Sequence, residues 1–341
     1  MNKIKHYFSA SNTKDGFINF FDNIIDPRFS GFTYVLKGGA GTGKSTFMKK
    51  VGEYFFNKGL NIEYFHCSFD KESLDGVRLK DYNIAIVDGT NPHVVEVGAV
   101  GLNGKILNVG EFVSDKIILN KNEIEKQLKK KKNYYGIANQ YIKCAGVLYD
   151  LNNKELQYSV NEKEVLFKAE QLIANLRLKG LDYGVKRGLN RKLFSNILSL
   201  EENPFEKMNA YKEVVYIEGN KTQNQKVLEV LLQNLLELGV DVTVFCDNLD
   251  SNLIESLYLD SIDVLIKEKV YLQPASEKRK ISEQNQKQIF AFIKKANFYL
   301  GKARKAHQEI EKFYIKNMNF DGLNLLEEKI IGEIEEKIKK T

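Results

Sequence analysis

Between Phe32 and Lys58 the chain changes its hydrophobic rhythm twice. Phe32 to Lys37 (FTYVLK) is an apolar run of strand length, and after the glycine-rich stretch Gly38 to Thr46 the segment FMKKVGEYFFNK carries apolar side chains at helical spacing,. Gly59 stands where a helix C-cap is expected, and NIEYFHC (61–67) then predicts a second strand,. A polar stretch (SFDKESLDGVRLKD) separates it from a third, Tyr82 to Val87, which ends at Asp88. Strands alternating with a helix predict an α/β fold with a parallel sheet and right-handed crossovers. A loop-rich stretch follows, with helices expected at about 114–131, 133–151 and 161–179,.

Sliding the sequence by 180 positions lays residues 35–86 on 215–266 without a gap. Eight positions are identical (Val35, Gly39, Thr42, Gly59, Phe65, Asp70, Leu79 and Ile86), where composition alone would give roughly three. The order of elements matches better than the identities: VVYIEG as strand, TQNQKVLEVLLQNLLELG as helix, VDVTVFC as strand and IDVLI as a further strand,. Lys5 to Ser9 (KHYFS) also resembles Arg191 to Ser195 (RKLFS). The expectation is a tandem pair, 1–180 and 181–341, each half carrying appended C-terminal helices, with the boundary in the glycine-containing stretch LKGLDYGVKRG.

Composition narrows the class. The 341 residues, 43% hydrophobic and 28% charged, exclude a disordered or collagen-like chain,. Three cysteines without a CxxC argue against a disulfide framework or a structural zinc site,. No leader-like apolar stretch and no run of membrane-spanning length is evident, so a cytoplasmic protein is expected,. The net charge of +6 lies wholly in the first 180 residues, which hold 26 Lys and Arg against 20 Asp and Glu; the rest holds 25 of each. Lys129 to Lys132 supply much of it, read as a solvated helix end before a nucleic-acid contact, since no aromatic-interleaved basic stripe accompanies them,.

The chemistry is concentrated in Gly38-Gly39-Ala40-Gly41-Thr42-Gly43-Lys44-Ser45, a match to GxxxxGK[ST] placed between strand and helix,. Glycines let the backbone close around phosphates, successive amides make an anion nest, and the helix adds its positive dipole end. Lys44 would meet the β and γ phosphates, the Ser45 hydroxyl would bind Mg²⁺, and Thr46 could donate to the α phosphate. Asp88, ending its strand, is the expected Walker B carboxylate and second Mg²⁺ ligand. Residues just past the second and third strands are further candidates: His66, Ser68, Asp70, Asp75, Thr90 and His93,. Asp70 reads either as the cap of a short polar helix or as a base, and His93 as a γ-phosphate contact or acid–base group. A metal site of His66, Cys67 and His93 is disfavoured, because adjacent strand residues face opposite sides. Neither a GTPase DxxG nor an NKxD occurs, which favours ATP over GTP. Glu63, Glu96 and Glu111 are weak candidates for a catalytic glutamate, and the arginines near the loop are Arg28 and Arg78, with Arg187 or Arg191 as remote fingers.

At the repeated position the second half reads Gly219-Asn220-Lys221-Thr222-Gln223-Asn224-Gln225, so Asn224 replaces Lys44, Gln225 replaces Ser45 and Glu268 stands for Asp88. That half is expected not to hydrolyse nucleotide. The combination GGAGTGKSTFMKKVGEYF, FHCSFDKESLDGV and IAIVDGTNPH resembles a poorly characterised family of bacterial P-loop ATPase-like proteins built from tandem nucleotide-binding halves. The resemblance implies ATP binding, a core similar to nucleotide kinases and a P-loop in each half, from which this sequence departs in the second. The expected function is therefore a Mg²⁺-dependent ATP-binding protein or ATPase with one competent site, the alternatives being a small-molecule or nucleotide kinase and an ATP-sensing regulator with little turnover. Its expected partners are a nucleoside triphosphate and an unknown substrate or protein, with no membrane and no nucleic acid.

Overall fold

A computed structural model describes residues 3–28, 30–91, 95–157, 160–198, 205–219, 221–269 and 277–340. The chain opens with β1 (Ile4–Phe8) and a hairpin of β2 (Ala10–Thr13) and β3 (Gly16–Asn19), then β4 (Phe32–Lys37), α1 (Lys44–Asn57), β5 (Ile62–His66), β6 (Leu74–Leu79), β7 (Ile84–Asp88) and β8 (Gly104–Asn108). Two helices follow, α2 (Lys121–Gln157) and α3 (Glu162–Leu178). After β9 (Asn190–Leu193) and the single turn α4 (Glu206–Asn209) come β10 (Glu213–Ile217), α5 (Lys221–Glu237), β11 (Val242–Cys246), β12 (Ile254–Leu259) and β13 (Val264–Glu268). The chain closes with α6 (Glu277–Lys316) and α7 (Phe320–Lys339).

The fold is mixed α/β, and its sheets are mixed rather than parallel. The first has the order β1-β5-β6-β7-β4-β8, in which β6 runs antiparallel to both neighbours and every other pair is parallel. The second has the order β10-β13-β12-β11-β9, with β12 antiparallel to both neighbours. The reversed strand was hidden in the polar stretch after His66, because β6 (LDGVRL) carries Asp75 and Arg78 yet is buried along its whole length. Its arginine is matched across the ladder: Glu63 and Arg78 are register partners, and Arg78 Nη1 donates to Glu63 Oε2 at 3.2 Å. Asn83 accepts from Arg78 Nη2 at 2.9 Å, so this buried charge is satisfied on two sides,.

The two sheets share details beyond strand order. A register irregularity falls at Phe65/His66 and at Phe245/Cys246. The turn before β7 places Asn83 at φ 51°, and the turn before β13 places Asp263 at φ 56°. α1 and α5 end alike, with Leu60 N donating to Phe55 O and Val240 N to Leu235 O around Gly59 and Gly239, both at positive φ, the left-handed cap that glycine adopts without strain,.

The chain packs as two compact units, each discontinuous in sequence. Unit 1 comprises Met1–Ala10, Asn19–Ala138 and Asn297–Thr341; unit 2 comprises Ser11–Ile18 and Asn139–Ala296. In unit 1, Phe47, Met48, Val51 and Phe55 of α1 lie in one core with Leu36, Ile86, Leu107 and the α7 residues Leu323, Ile330 and Ile334. Burying each of these large side chains stabilises by roughly 1.5–3 kcal/mol. In unit 2, α5 buries Val227, Leu228, Leu231, Leu232 and Leu235, and it packs against α3. Lys14, in the hairpin turn, reaches Asp150 at 2.8 Å and Asp250 at 3.0 Å in unit 2. Packing units and sequence halves are thus different partitions of one chain.

The expected helices 114–131 and 133–151 form instead a short 3₁₀ segment, Asp115–Asn120, and one unbroken helix, α2. No proline interrupts it, and the lysine run is an ordinary helical sequence. β8 was also unforeseen, since GKILN is short and flanked by glycine and asparagine.

Candidate functional site

The glycine loop lies between the carboxyl end of β4 and α1, as expected. Gly41 and Gly43 take φ of 72° and 85°, values a side chain would strain,. Gly41 is doubly constrained: the Glu311 carbonyl oxygen lies 2.7 Å from where a Cβ would stand. The loop is braced from within by Thr42 Oγ1 donating to Gly39 O at 2.8 Å. On its outer side Gly39 faces the Tyr314 ring and Gly43 faces Leu323. Gly43 precedes α1 and offers no side-chain cap, so the first-turn amides keep their anion-binding character,.

Lys44 is buried, and its ammonium donates to Gly38 O at 2.9 Å and Gly39 O at 2.7 Å while standing 3.5 Å from Asp88 Oδ2. Asp88 ends β7 as foreseen. Its Oδ1 accepts from Thr90 N at 2.8 Å, and Thr90 Oγ1 donates to Gly38 O at 2.8 Å. Thr90 therefore ties the carboxylate's turn to the start of the glycine loop. Ser45 Oγ accepts from Leu74 N at 3.0 Å, joining the first turn of α1 to β6, and Thr46 is exposed.

Asp70 caps no helix. It organises a turn, accepting from Glu72 N at 3.4 Å and Ser73 Oγ at 3.1 Å,. His93 lies outside the described residues. Glu63 is committed to the buried pair with Arg78, and Arg28 pairs with Asp26 at 2.8 Å, so these groups are structural.

His66 faces His6 rather than the loop: His66 Nδ1 meets Lys71 O at 2.6 Å and its Nε2 lies 2.9 Å from His6 Nδ1. With His66 donating to Lys71 O, its Nε2 accepts from His6, and both rings are neutral. Burial pulls His6 down to about 4 and His66 to about 3, and His307 likewise to about 4. Unfolded histidines titrate near 6.5, so below that pH the unfolded chain takes up protons that the folded chain does not. The stability contributed by these three neutral histidines is expected to be complete above about pH 6.5 and to fall as pH drops from there toward about 3,. Urea midpoints at pH 7 and pH 5 measure this; His66→Gln should narrow the difference, and equal midpoints in the wild type would refute it.

Sequence reading missed the groups brought in by α2 and α6. Lys131 turns inward from the lysine run while Lys129, Lys130 and Lys132 are exposed, and its ammonium lies 3.0 Å from His307 Nδ1. Arg304, His307 and Glu311 share one face of α6 at helical spacing, the one available signal. His307 and Glu311 both feel the charges of Lys44 and Asp70.

The corresponding place in unit 2 has different chemistry. Asn224 is buried, and its Nδ2 donates to Ile217 O at 3.3 Å and Gly219 O at 3.4 Å, bracing the loop from the position that Lys44 holds in the 180-residue alignment. Lys221 approaches Tyr149 Oη at 3.0 Å and Asp247 Oδ2 at 4.0 Å. Burial alone would lower the Lys221 pKa, but Tyr149, Asp247 and Glu268 together hold it above the usual lysine range. Burial also pushes the nearby Glu255 up to about 7, against a 2.6 Å hydrogen bond from Ser195.

Comparison with protein-family models, with curated proteins and with solved structures finds no match to this chain. Among the described residues no helix is long and apolar enough to cross a membrane, and no three His, Cys, Asp or Glu side chains gather to hold a metal ion.

Proposed function

We propose that this chain is a Mg²⁺-dependent ATP-binding protein that hydrolyses nucleotide at one competent site, the P-loop Gly38–Ser45, and that the second sheet is a degenerate tandem copy without turnover. The carrying observation is the convergence of Lys44 and Asp88, 3.5 Å apart, at a glycine loop whose positive-φ residues lead into α1. Shared strand order, matched register irregularities and matched left-handed turns support the duplication.

In this reading the loop amides and the α1 dipole hold the phosphates, and Lys44 exchanges its two loop carbonyls for phosphate oxygens. Asp88 and Ser45 offer one carboxylate and one hydroxyl, a hard-oxygen pair that suits Mg²⁺ completed by phosphates and water. Bound there, the ion would neutralise charge on the phosphates. Thr90 keeps the Asp88 turn in register with the loop. In unit 2 Lys221 faces Asp247 and Glu268, the very carboxylates a divalent ion would need, so its charge opposes metal binding there,.

Titration calorimetry with ATP and Mg²⁺ should give one nucleotide per chain; two would overturn the single-site reading. Lys221→Met should leave that stoichiometry at one. A sensor with little turnover is favoured by one observation: Glu63 is locked to Arg78 and Asp70 to its own turn, so neither is poised as a base. Binding without phosphate release would select the sensor, and transfer of labelled γ phosphate to a metabolite pool would select a kinase.

A further inference from the structure

Beside the glycine loop, the portions of α2 and α6 that lie in unit 1 bring two cations and an imidazole to the ring of Phe69. The Lys131 ammonium lies 5.6 Å and the Arg304 guanidinium 5.9 Å from the ring centroid, and His307 meets its edge at 5.9 Å. Neither cation is paired with a carboxylate of a described residue. Arg304 Nε is buried without an acceptor, an unusual condition for so strong a donor,. Lys131 donates to His307 Nδ1 at 3.0 Å, which fixes the neutral tautomer and leaves Nε2–H as a third donor,. Two carboxylates face this group: Glu311, whose Oε1 is 3.7 Å from His307 Nε2, and Asp70 from its turn. At 3.7 Å the imidazole proton is not consumed by Glu311.

We propose that Lys131, Arg304 and His307 form a receptor for a phosphoryl group next to the P-loop. A planar guanidinium, a mobile ammonium and a neutral N–H supply the several donors that one phosphate's oxygens require. The Phe69 ring orients the cations from one side. The carrier of that phosphate rests on the nucleotide reading above. Glu311 abuts Gly41, and along α6 His307 lies about 6 Å and Arg304 about 10 Å beyond it at 1.5 Å per residue,. The group is therefore within reach of either the terminal phosphate of a bound triphosphate or the phosphate of a second, phosphorylated compound.

The test measures ATP, ADP and inorganic phosphate binding to the full-length wild type, Arg304→Gln and Lys131→Gln, each also in a Lys44→Ala background. Both side chains are half-exposed, and unchanged circular dichroism and melting temperature establish folding; if Gln variants melt early, Arg304→Met and Lys131→Met, which keep the aliphatic packing and remove the charge, replace them. A γ-phosphate receptor predicts ATP weakened about 10- to 100-fold with ADP unchanged, the range of a lost charge-assisted contact. A receptor for a second compound predicts nucleotide affinities unchanged and inorganic phosphate binding, retained in Lys44→Ala, lost with Arg304 or Lys131. If the wild type binds phosphate and the variants do not, the inference stands even where no nucleotide binds. Equal affinity of wild type and variants for all three probes, or no phosphate binding together with equal ATP and ADP affinity, overturns it.

Discussion

Replacing Lys44 with alanine is expected to cut phosphate release severely and to weaken ATP binding by about 10- to 100-fold, with the fold preserved. The binding figure follows from one lost charge-assisted contact of about 1.5–3 kcal/mol. The loss in turnover is larger, about 10²- to 10³-fold, because charge shifts onto the leaving β-phosphate oxygens as the bond breaks and a preorganised donor acts most strongly there. Lys44 also bridges Gly38 O and Gly39 O, so its removal loosens the loop; those carbonyls can turn to water, and the stabilising core contacts of α1 are untouched. Coupled assays of phosphate release, with calorimetry and circular dichroism on the same preparations, make the measurement. Equal release from wild type and variant would end the ATPase proposal, since no second lysine stands at the loop's helical start.

The largest stability effect is expected at Glu63 and Arg78. Their side chains are 3% and 8% exposed and sit opposite one another across the β5–β6 ladder. Glu63→Gln leaves a guanidinium buried against a neutral amide, and a buried charge stripped of its partner typically costs about 3–5 kcal/mol. In a unit of this size that lowers the melting temperature by roughly 10 °C. Glu63→Leu with Arg78→Met should recover most of the loss, because removing both charges also removes both desolvation penalties. A double variant no more stable than Glu63→Gln would show instead that Arg78 is held chiefly by Asn83 and Asp26.

What could be read from the sequence follows the physics of each signal. The glycine loop, α1, β5, β7 and Asp88 were legible because a glycine-rich turn and the 3.6-residue period are local properties. β6 was not, since its Asp75 and Arg78 imitate a surface segment until Glu63 is placed opposite. The uninterrupted α2 was misdivided at lysines, which signal solvent but not a helix end. Lys131, Arg304 and His307 were invisible as a group for another reason: only the fold decides which of four consecutive lysines turns inward, or that α6 returns to Gly41. Asp70 shows the limit of residue-type reasoning, as the same carboxylate suits a cap, a base or the turn it makes.

The discontinuity of unit 1 bears on how this chain is made. Its sheet is encoded before Asn108, yet the apolar face of α1 is closed by Leu323, Ile330 and Ile334 near the other end of the sequence. A ribosome adding about 5–20 residues per second delivers α7 some tens of seconds after α1. Throughout that interval Phe47, Met48 and Phe55 have no α7 to cover them, whereas residues 139–296 of unit 2 can condense as they emerge. Unit 2 therefore matures first although most of it is encoded after the unit 1 sheet, and a nascent chain stalled before Phe320 presents the apolar face of α1 to chaperones and proteases.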